Sequence, residues 1–400
     1  METSAKLIIA TQFYPPDTST TAVYLGKIAE GLAAENNVIV ISATPNSSSR
    51  SGNVASNPTV IEIASWNPNK SALIQRGIAV CALAVRMFFS VVKRTGSKDI
   101  VFCVTTPFTL PYGVVLAAKL RRATALLLIY DLYPEALEAA GFVKSTSVAA
   151  RLLRFANTLL FRRLDSIVVI GRDVPPLLAR YPGVAQDKIQ FIPNWVLLPI
   201  AYREIDPRNR FRAQLNSKFV VGLSGNLGFT HAPATLFEAA KLLKAEKDIH
   251  FVLSGWGVGW KELNALVALE KLENVTMLNP VPQEDLVEFL SAADVWVIPY
   301  RRNIAGVSIP SRLYNLLAVG RPVIVAAEAH SEAAIELSEE AIGWVVPPED
   351  PQQLACTIRE AARDRSATRQ KGLRAAIVAE KYSEEAALMR YRMVVSSLKE

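Results

Sequence analysis

Short runs of consecutive apolar, largely β-branched residues recur along this chain. Between them lie longer stretches whose apolar positions fall at helical spacing. The first half carries LIIA (Leu7–Ala10), VIVIS (Val38–Ser42), IVFCV (Ile100–Val104), ALLLIY (Ala125–Tyr130), SIVVI (Ser166–Ile170) and IQFIP (Ile189–Pro193). The second carries FVVGLSG (Phe219–Gly225), HFVLSG (His250–Gly255), VTML (Val275–Leu278), VWVIPY (Val295–Tyr300), PVIVAA (Pro322–Ala327) and GWVV (Gly343–Val346). Continuous rather than alternating apolar runs predict parallel strands covered by helices on both faces. Their alternation with helical segments predicts two successive doubly wound α/β domains.

Pro193, Pro199 and Pro207 fall in polar, charged sequence without a clear period, and the break is expected between Asn194 and Asn216. The division predicted is a first domain over residues 1–198 and a second over 199–382, with a helical segment from Ser383 to Glu400 after the last strand. Ligands of such sheets bind beyond the carboxyl ends of the strands, so a cleft between facing domains is the default site. The first strand-to-helix turn, TQFYPPDTST, lacks the G-x-G-x-x-G fingerprint, which counts against a dinucleotide-dependent dehydrogenase.

Half of the 400 residues are hydrophobic and a fifth are charged, so a sizeable core is expected and global disorder is not. Cys81, Cys103 and Cys356 show neither disulfide nor metal spacing, which suits a reducing cytosol. Lys6 to Pro16 reads as a strand and turn rather than a signal peptide.

Charge divides the chain more sharply than composition. Residues 1–200 carry 20 Lys and Arg against 12 Asp and Glu, whereas residues 201–400 carry 24 against 25. An excess confined to one half points to an anionic surface or ligand met by that half. Nucleic acid is disfavoured, because the basic residues are interleaved with aliphatic runs rather than with a recognisable binding motif. Ala72 to Val92 is the most hydrophobic segment, and Arg76 and Arg86 make it a costly spanning helix. With Lys93, Arg94 and Lys98 following, and Lys119, Arg121 and Arg122 further on, it fits a helix lying on an anionic leaflet. A core helix with snorkelling arginines fits the same pattern.

The stretch SIPSRLYNLLAVGRPVIV, Ser308 to Val325, compresses a helix start, a helix and a buried strand. Ser308 is placed to cap and Pro310 to open the first turn; Leu313, Leu316 and Leu317 form the apolar stripe. Gly320 is placed to end the helix in a left-handed conformation. Unpaired N–H groups beside Ser311 and Arg312 would suit a phosphate or diphosphate. An ordinary αβ unit with a solvated arginine reads equally well.

FIPNW (Phe191–Trp195), GLSGNLGFTH (Gly222–His231), FVLSGWGVG (Phe251–Gly259), AADVWVIPY (Ala292–Tyr300) and IPSRLYNLLAVGRPVIVAAEAHSE (Ile309–Glu332) occur in that order. Together they resemble the retaining nucleotide-sugar glycosyltransferases of the GT4 group, in particular the colanic-acid fucosyltransferase and N-acetylfucosaminyltransferase branch. The LYPE run after Asp131 is similar to a DLWPE-type segment of that branch. The resemblance implies a GT-B architecture: two Rossmann-like domains facing across a cleft, the donor on the C-terminal one, the acceptor mainly on the N-terminal one, and the last helix crossing back. It implies a UDP- or GDP-linked sugar as donor substrate and no cofactor; no metal is expected, because no carboxylate pair with metal-ligand spacing stands out.

Several positions depart from the family pattern. Two glutamates usual in the group are replaced by Val307 and Asn315, of which only Asn315 can hydrogen-bond a ribose. A usual Arg and Lys near the first strand of domain two are replaced by Asn226 and His231. Arg312 then becomes the candidate for the diphosphate, with Arg301 and Arg302 in reserve. All three histidines, His231, His250 and His330, fall in the second half, so the first half supplies no histidine base. This suits a front-side mechanism in which the leaving phosphate takes the acceptor proton.

Asp131 and Glu135 are candidates to orient acceptor hydroxyls, or simply to cap the following helix. Gly225, Asn226 and Gly228 suit close backbone approach to the donor, and Ser331 and Glu332 suit contact with its sugar or ribose, with capping as the plain alternative. Thr20 and Thr21, on the acceptor side, stand where relatives have a Gly-Gly phosphate loop. The reading is a transferase acting on a polyprenyl-diphosphate-linked saccharide for surface polysaccharide, peripheral at the cytoplasmic face of the membrane. A nucleotide-sugar 2-epimerase and a degenerate donor-binding scaffold subunit are the alternatives.

Overall fold

The computed structural model describes residues 5–45, 57–66, 68, 73–215 and 218–399. Asn216, at the end of the expected linker, Ala72 and Glu400 lie outside the described residues. A seven-stranded parallel sheet contains β1 (Lys6–Thr11), β2 (Asn37–Ala43), β3 (Thr59–Ile63), β4 (Ile100–Val104), β5 (Thr124–Ile129), β6 (Ser166–Val169) and β7 (Ile189–Phe191). A six-stranded parallel sheet contains β8 (Phe219–Asn226), β9 (Ile249–Trp256), β10 (Val275–Leu278), β11 (Val295–Pro299), β12 (Val323–Ala326) and β13 (Gly343–Val346). The strand orders are β3-β2-β1-β4-β5-β6-β7 and β10-β9-β8-β11-β12-β13.

Each apolar run of the sequence is a strand, and β3 is one more. β4, β6, β11 and β12 are buried along their whole length, as strands sandwiched between helical layers must be. β3 lies at a sheet edge with Thr59 and Glu62 exposed, so it has no continuous apolar run to announce it.

The chain divides into two compact units. One comprises residues 1–134, 145–193 and 385–400; the other comprises 135–144 and 194–384. The division in the linker thus falls at Pro193 rather than at 198. The short segment Glu135–Lys144 also groups with the second unit, where Phe142 packs edge-on against Phe229 at 4.6 Å.

In the first unit the last helix, Glu384–Ser397, packs beside the helix Thr20–Ala33. Arg392 Nε donates to the Gly31 carbonyl at 3.2 Å, and Tyr391 stacks on Phe102 of β4 at 6.1 Å. The crossovers β3→β4, β4→β5 and β5→β6 all run in one direction across the sheet. Right-handed connection therefore puts the helices Leu73–Arg94, Leu110–Leu120 and Val148–Arg162 together on one face.

The stretch after Ser308 folds later than its sequence suggests. The helix is Arg312–Ala318, seven residues, with Ser311 at its N-cap in a helical conformation and no side-chain cap bond. Ser308 does not cap it; its own N–H reaches the Ile304 carbonyl at 3.4 Å, and Pro310 precedes the first turn instead of opening it. The far end is as expected: Gly320 has φ +70°, its N–H bonds to Leu317 and that of Arg321 to Leu316, which is a Schellman closure.

Candidate active site

A doubly wound sheet opens a crevice where its strand order reverses, beyond the carboxyl ends of the strands. In the second unit that point lies between β8 and β11. β8 ends in Ser224, Gly225 and Asn226, with Gly225 at φ +99°, a conformation that turns the chain sharply and suits glycine. The following loop runs back beside β11: His231 bridges Tyr300, and the Ala232 N–H bonds to the Pro299 carbonyl at 2.9 Å.

Arg312 fills this point. Nη1 donates to the Ser224 carbonyl at 2.7 Å and Nη2 to the Asn226 carbonyl, with His231 Nε2 3.4 Å away. Its guanidinium lies beside Gly225, where an added Cβ would sit 3.6 Å from Cζ. Burial pushes the guanidinium below its ordinary value, although it remains a cation at any physiological pH. Its partners are two carbonyls and an imidazole; among the described residues no carboxylate pairs with it. A desolvated cation without a counter-charge is a poor structural element and a good anion receptor.

His231, which sequence reasoning named only as a replacement, belongs to this group. It is buried, stacks on Tyr300 at 5.0 Å, and its Nδ1 lies 3.2 Å from Thr230 Oγ1. Burial first, and the Arg312 charge second, hold its pKa well below the usual imidazole value. Because arginine can only donate, Nε2 is the acceptor and the proton sits on Nδ1. The spacing between Gly225 and His231 was the available signal, but nothing in it says that the loop folds back onto β11.

The other expected donor residues are distributed around this centre in different states. Asn226 is exposed and Gly228 adjoins its amide; Ser308 and Ser311 are partly buried, while Pro310 and Leu313 are buried. Asn315 Oδ1 accepts the Leu197 N–H at 3.0 Å and so anchors the linker. Ser331 holds the N-cap position of the helix Glu332–Glu339, but its hydroxyl donates backwards to the Glu328 carbonyl at 2.7 Å. Glu332 opens that helix and is buried. Of the reserves, Arg301 Nε donates to the His231 carbonyl at 2.9 Å, and Arg302 is ion-paired with Glu349 at the surface.

In the first unit Thr20 and Thr21 begin the helix after β1, whose N-cap Ser19 accepts from Ala22. The Asp131 N–H bonds to Thr105 Oγ1 at 3.3 Å, which ties the end of β5 to that of β4. Glu135 is the first residue of the helix Glu135–Ala139 and groups with the second unit, unlike Asp131. No cluster of three or more His, Cys, Asp or Glu side chains suited to a metal occurs among the described residues.

Two parallel Rossmann-like sheets with this topology define the GT-B class, and residues 206–378 match the family model Glycosyl transferases group 1. The chain is 27% identical to WbjE of Pseudomonas aeruginosa, described as a glycosyltransferase, over 82% of each protein. It is 28% identical to WcaI of Escherichia coli K12, described as a colanic acid biosynthesis glycosyl transferase, over 89% of this chain and 92% of that one. Among solved structures it is similar to sucrose-phosphate synthase from Thermosynechococcus elongatus, with a TM-score of 0.77 at 17% identity over 98% and 99% of the two chains. HepE from Anabaena, solved with UDP-glucose, matches with a TM-score of 0.70 at 16% identity over 98% and 100%. WaaG, a glycosyltransferase of lipopolysaccharide biosynthesis, matches with 0.67 at 16% over 95% and 98%.

Proposed function

We propose that this protein is a retaining glycosyltransferase that moves a sugar from a nucleoside diphosphate to a lipid-linked saccharide during surface polysaccharide synthesis. The observation that carries the reading is the half-buried, carboxylate-free Arg312 at the β8/β11 reversal, where a diphosphate supplies the missing negative charge. The relative described as a colanic acid biosynthesis glycosyl transferase supports the reaction class, and the neighbour solved with UDP-glucose supports the donor class.

In the proposed reaction the bond from the sugar's anomeric carbon to the diphosphate breaks while the acceptor hydroxyl adds on the same face. The hydroxyl proton passes to the departing phosphate oxygen. Arg312 stabilises the charge that builds on that phosphate, and neutral His231 holds the guanidinium in place. Gly225, Asn226 and Gly228 let the donor approach the backbone, Ser331 and Glu332 face its sugar, and Asp131 and Glu135 orient the acceptor. Metal independence belongs to the reading, with full activity expected after chelation.

The acceptor's lipid puts the enzyme at the cytoplasmic membrane face, through the helix Leu73–Arg94. By length and composition Gln75–Arg94 could cross a membrane, yet its arginines favour a surface position. Thermal shift against UDP- and GDP-sugars identifies the donor. Incubation with that donor and a polyprenyl-diphosphate saccharide should give a product with the donor's anomeric configuration. An inverted product, or epimerisation of donor alone, overturns the reading.

A further inference from the structure

A helix that packs on a sheet normally turns polar residues outward. Val148–Arg162 does not. Ala150, Leu160 and Phe161 face the protein, but Val148, Leu152, Phe155 and Leu159 are 70%, 63%, 63% and 38% exposed. Their spacing puts all four within an arc of about 60° on the opposite side. Arg151 and Arg162 flank this stripe on one side and Arg163 on the other.

The same spacing recurs two helices along the layer. On Leu73–Arg94, residues Ile78, Ala82, Val85 and Phe89 are all exposed. Between these two helices lies Leu110–Leu120, with Leu116 and Leu120 exposed. The three are in contact as a layer. Gly113 approaches the Ala84 carbonyl so closely that a Cβ would fall 2.7 Å from it, and Tyr112 donates to Asn157 Oδ1 at 2.6 Å.

Charge on the three helices has one sign, although Lys119 is ion-paired with Asp165 beyond them. None of the three helices contains an Asp or Glu, while together they carry Arg76, Arg86, Lys93, Arg94, Lys119, Arg151, Arg154 and Arg162. The helices on the other face of the sheet, Thr20–Ala33 and Glu384–Ser397, mix both signs. An outward apolar stripe edged by arginines and free of carboxylates matches an anionic lipid surface: side chains enter the acyl boundary and guanidinium groups meet headgroup phosphates. A protein partner would not require every charge in the layer to be positive.

We infer that Val148–Arg162 is a second lipid-contacting helix, which lies on an anionic leaflet through Val148, Leu152, Phe155 and Leu159. The inference rests on the membrane part of the function proposed above, but it assigns a surface that the function does not need. Contact along two helices fixes the orientation of the first unit on the membrane, whereas one helix leaves it free to roll.

Co-sedimentation of the full chain with phosphatidylglycerol/phosphatidylethanolamine vesicles, against phosphatidylcholine vesicles, tests this. Leu152→Glu with Phe155→Glu should lower partition onto anionic vesicles about tenfold, and Arg151→Glu alone by a few-fold. Unfolding temperature and donor affinity should stay unchanged, because these side chains are exposed. If the double variant partitions like the parent while Val85→Glu with Phe89→Glu is released, the inference is overturned and the membrane reading stands. A parent that ignores anionic vesicles overturns both. A change of oligomeric state without a change in vesicle partition overturns the inference in favour of a protein interface.

Discussion

Arg312 Nη1 donates to the main-chain oxygen of Ser224 at 2.7 Å, so this arginine lies across the end of β8 rather than projecting from its own helix. The carbonyl is neutral, and the charge is left for a ligand. Three of the five guanidinium donors are turned to Ser224, Asn226 and His231; the remaining two suit phosphate oxygens. Arg312→Ala should weaken nucleoside diphosphate binding by about 2 kcal/mol, roughly thirtyfold. Arg312→Lys should not rescue it, because an ammonium cannot span two carbonyls and a phosphate in one plane. Titration calorimetry reads both. Arg302→Ala, which removes a surface pair with Glu349, is the control, and an effect equal to that of Arg312→Ala would sink the assignment.

Arg312 also marks the boundary of what the sequence makes legible. The strands were legible because burial on both faces demands continuous apolar runs, and β3 was missed because an edge is only half buried. Family position singles out the arginine as a candidate, but its geometry is not legible in the sequence. A seven-residue helix offers little dipole or free N–H, and the proposed anion site would depend instead on a side chain folded back onto β8. The place of His231 beside Arg312 is hidden in the sequence for the same reason. A histidine becomes part of a site through the partners a loop gives it, and loop closure onto Tyr300 leaves no period in the sequence.

Family position gives Asn315 a ribose contact, and the structure gives its amide oxygen a second role. Its Oδ1 is taken by the Leu197 N–H, so its loss should be felt in folding rather than in donor affinity. Asn315→Ala is expected to destabilise by about 1 kcal/mol, through an unsatisfied backbone donor in the linker. Donor affinity should change by less than about twofold, below 0.5 kcal/mol. Chemical denaturation and calorimetry on the same preparation separate the two roles. A loss of affinity at unchanged stability would restore the ribose contact.

Gly320 closes the helix that carries Arg312. Its φ of +70° strains any side chain, and an added Cβ would fall 2.6 Å from Tyr202 Cδ2 and 3.0 Å from the Tyr202 Cα. Gly320→Ala should cost at least about 1–2 kcal/mol, from the left-handed backbone together with displacement of Tyr202. The cost should appear as a lower unfolding temperature in the absence of ligand. Unchanged stability would mean that the Schellman closure is not required.

Stability should fall on mild acidification, and two histidines set the sign. His250 is buried on β9 with Nε2 2.8 Å from Thr276 Oγ1; burial, aided by Lys218, pushes its pKa down to about 4. His231 is also held well below the usual value. In the unfolded chain both titrate near the ordinary imidazole pKa. Between there and the folded values the unfolded state therefore binds more protons, and stability is lost as pH falls through that window. Above neutral pH both states are deprotonated and this contribution is constant. Thermal unfolding from pH 7.5 to pH 4.5 should show the decline, with a shallower slope in His250→Gln, which keeps an amide beside Thr276 but takes up no proton. A variant slope equal to the parent's would assign the acid sensitivity to other groups, and His231→Gln then measures how much of it arises beside Arg312.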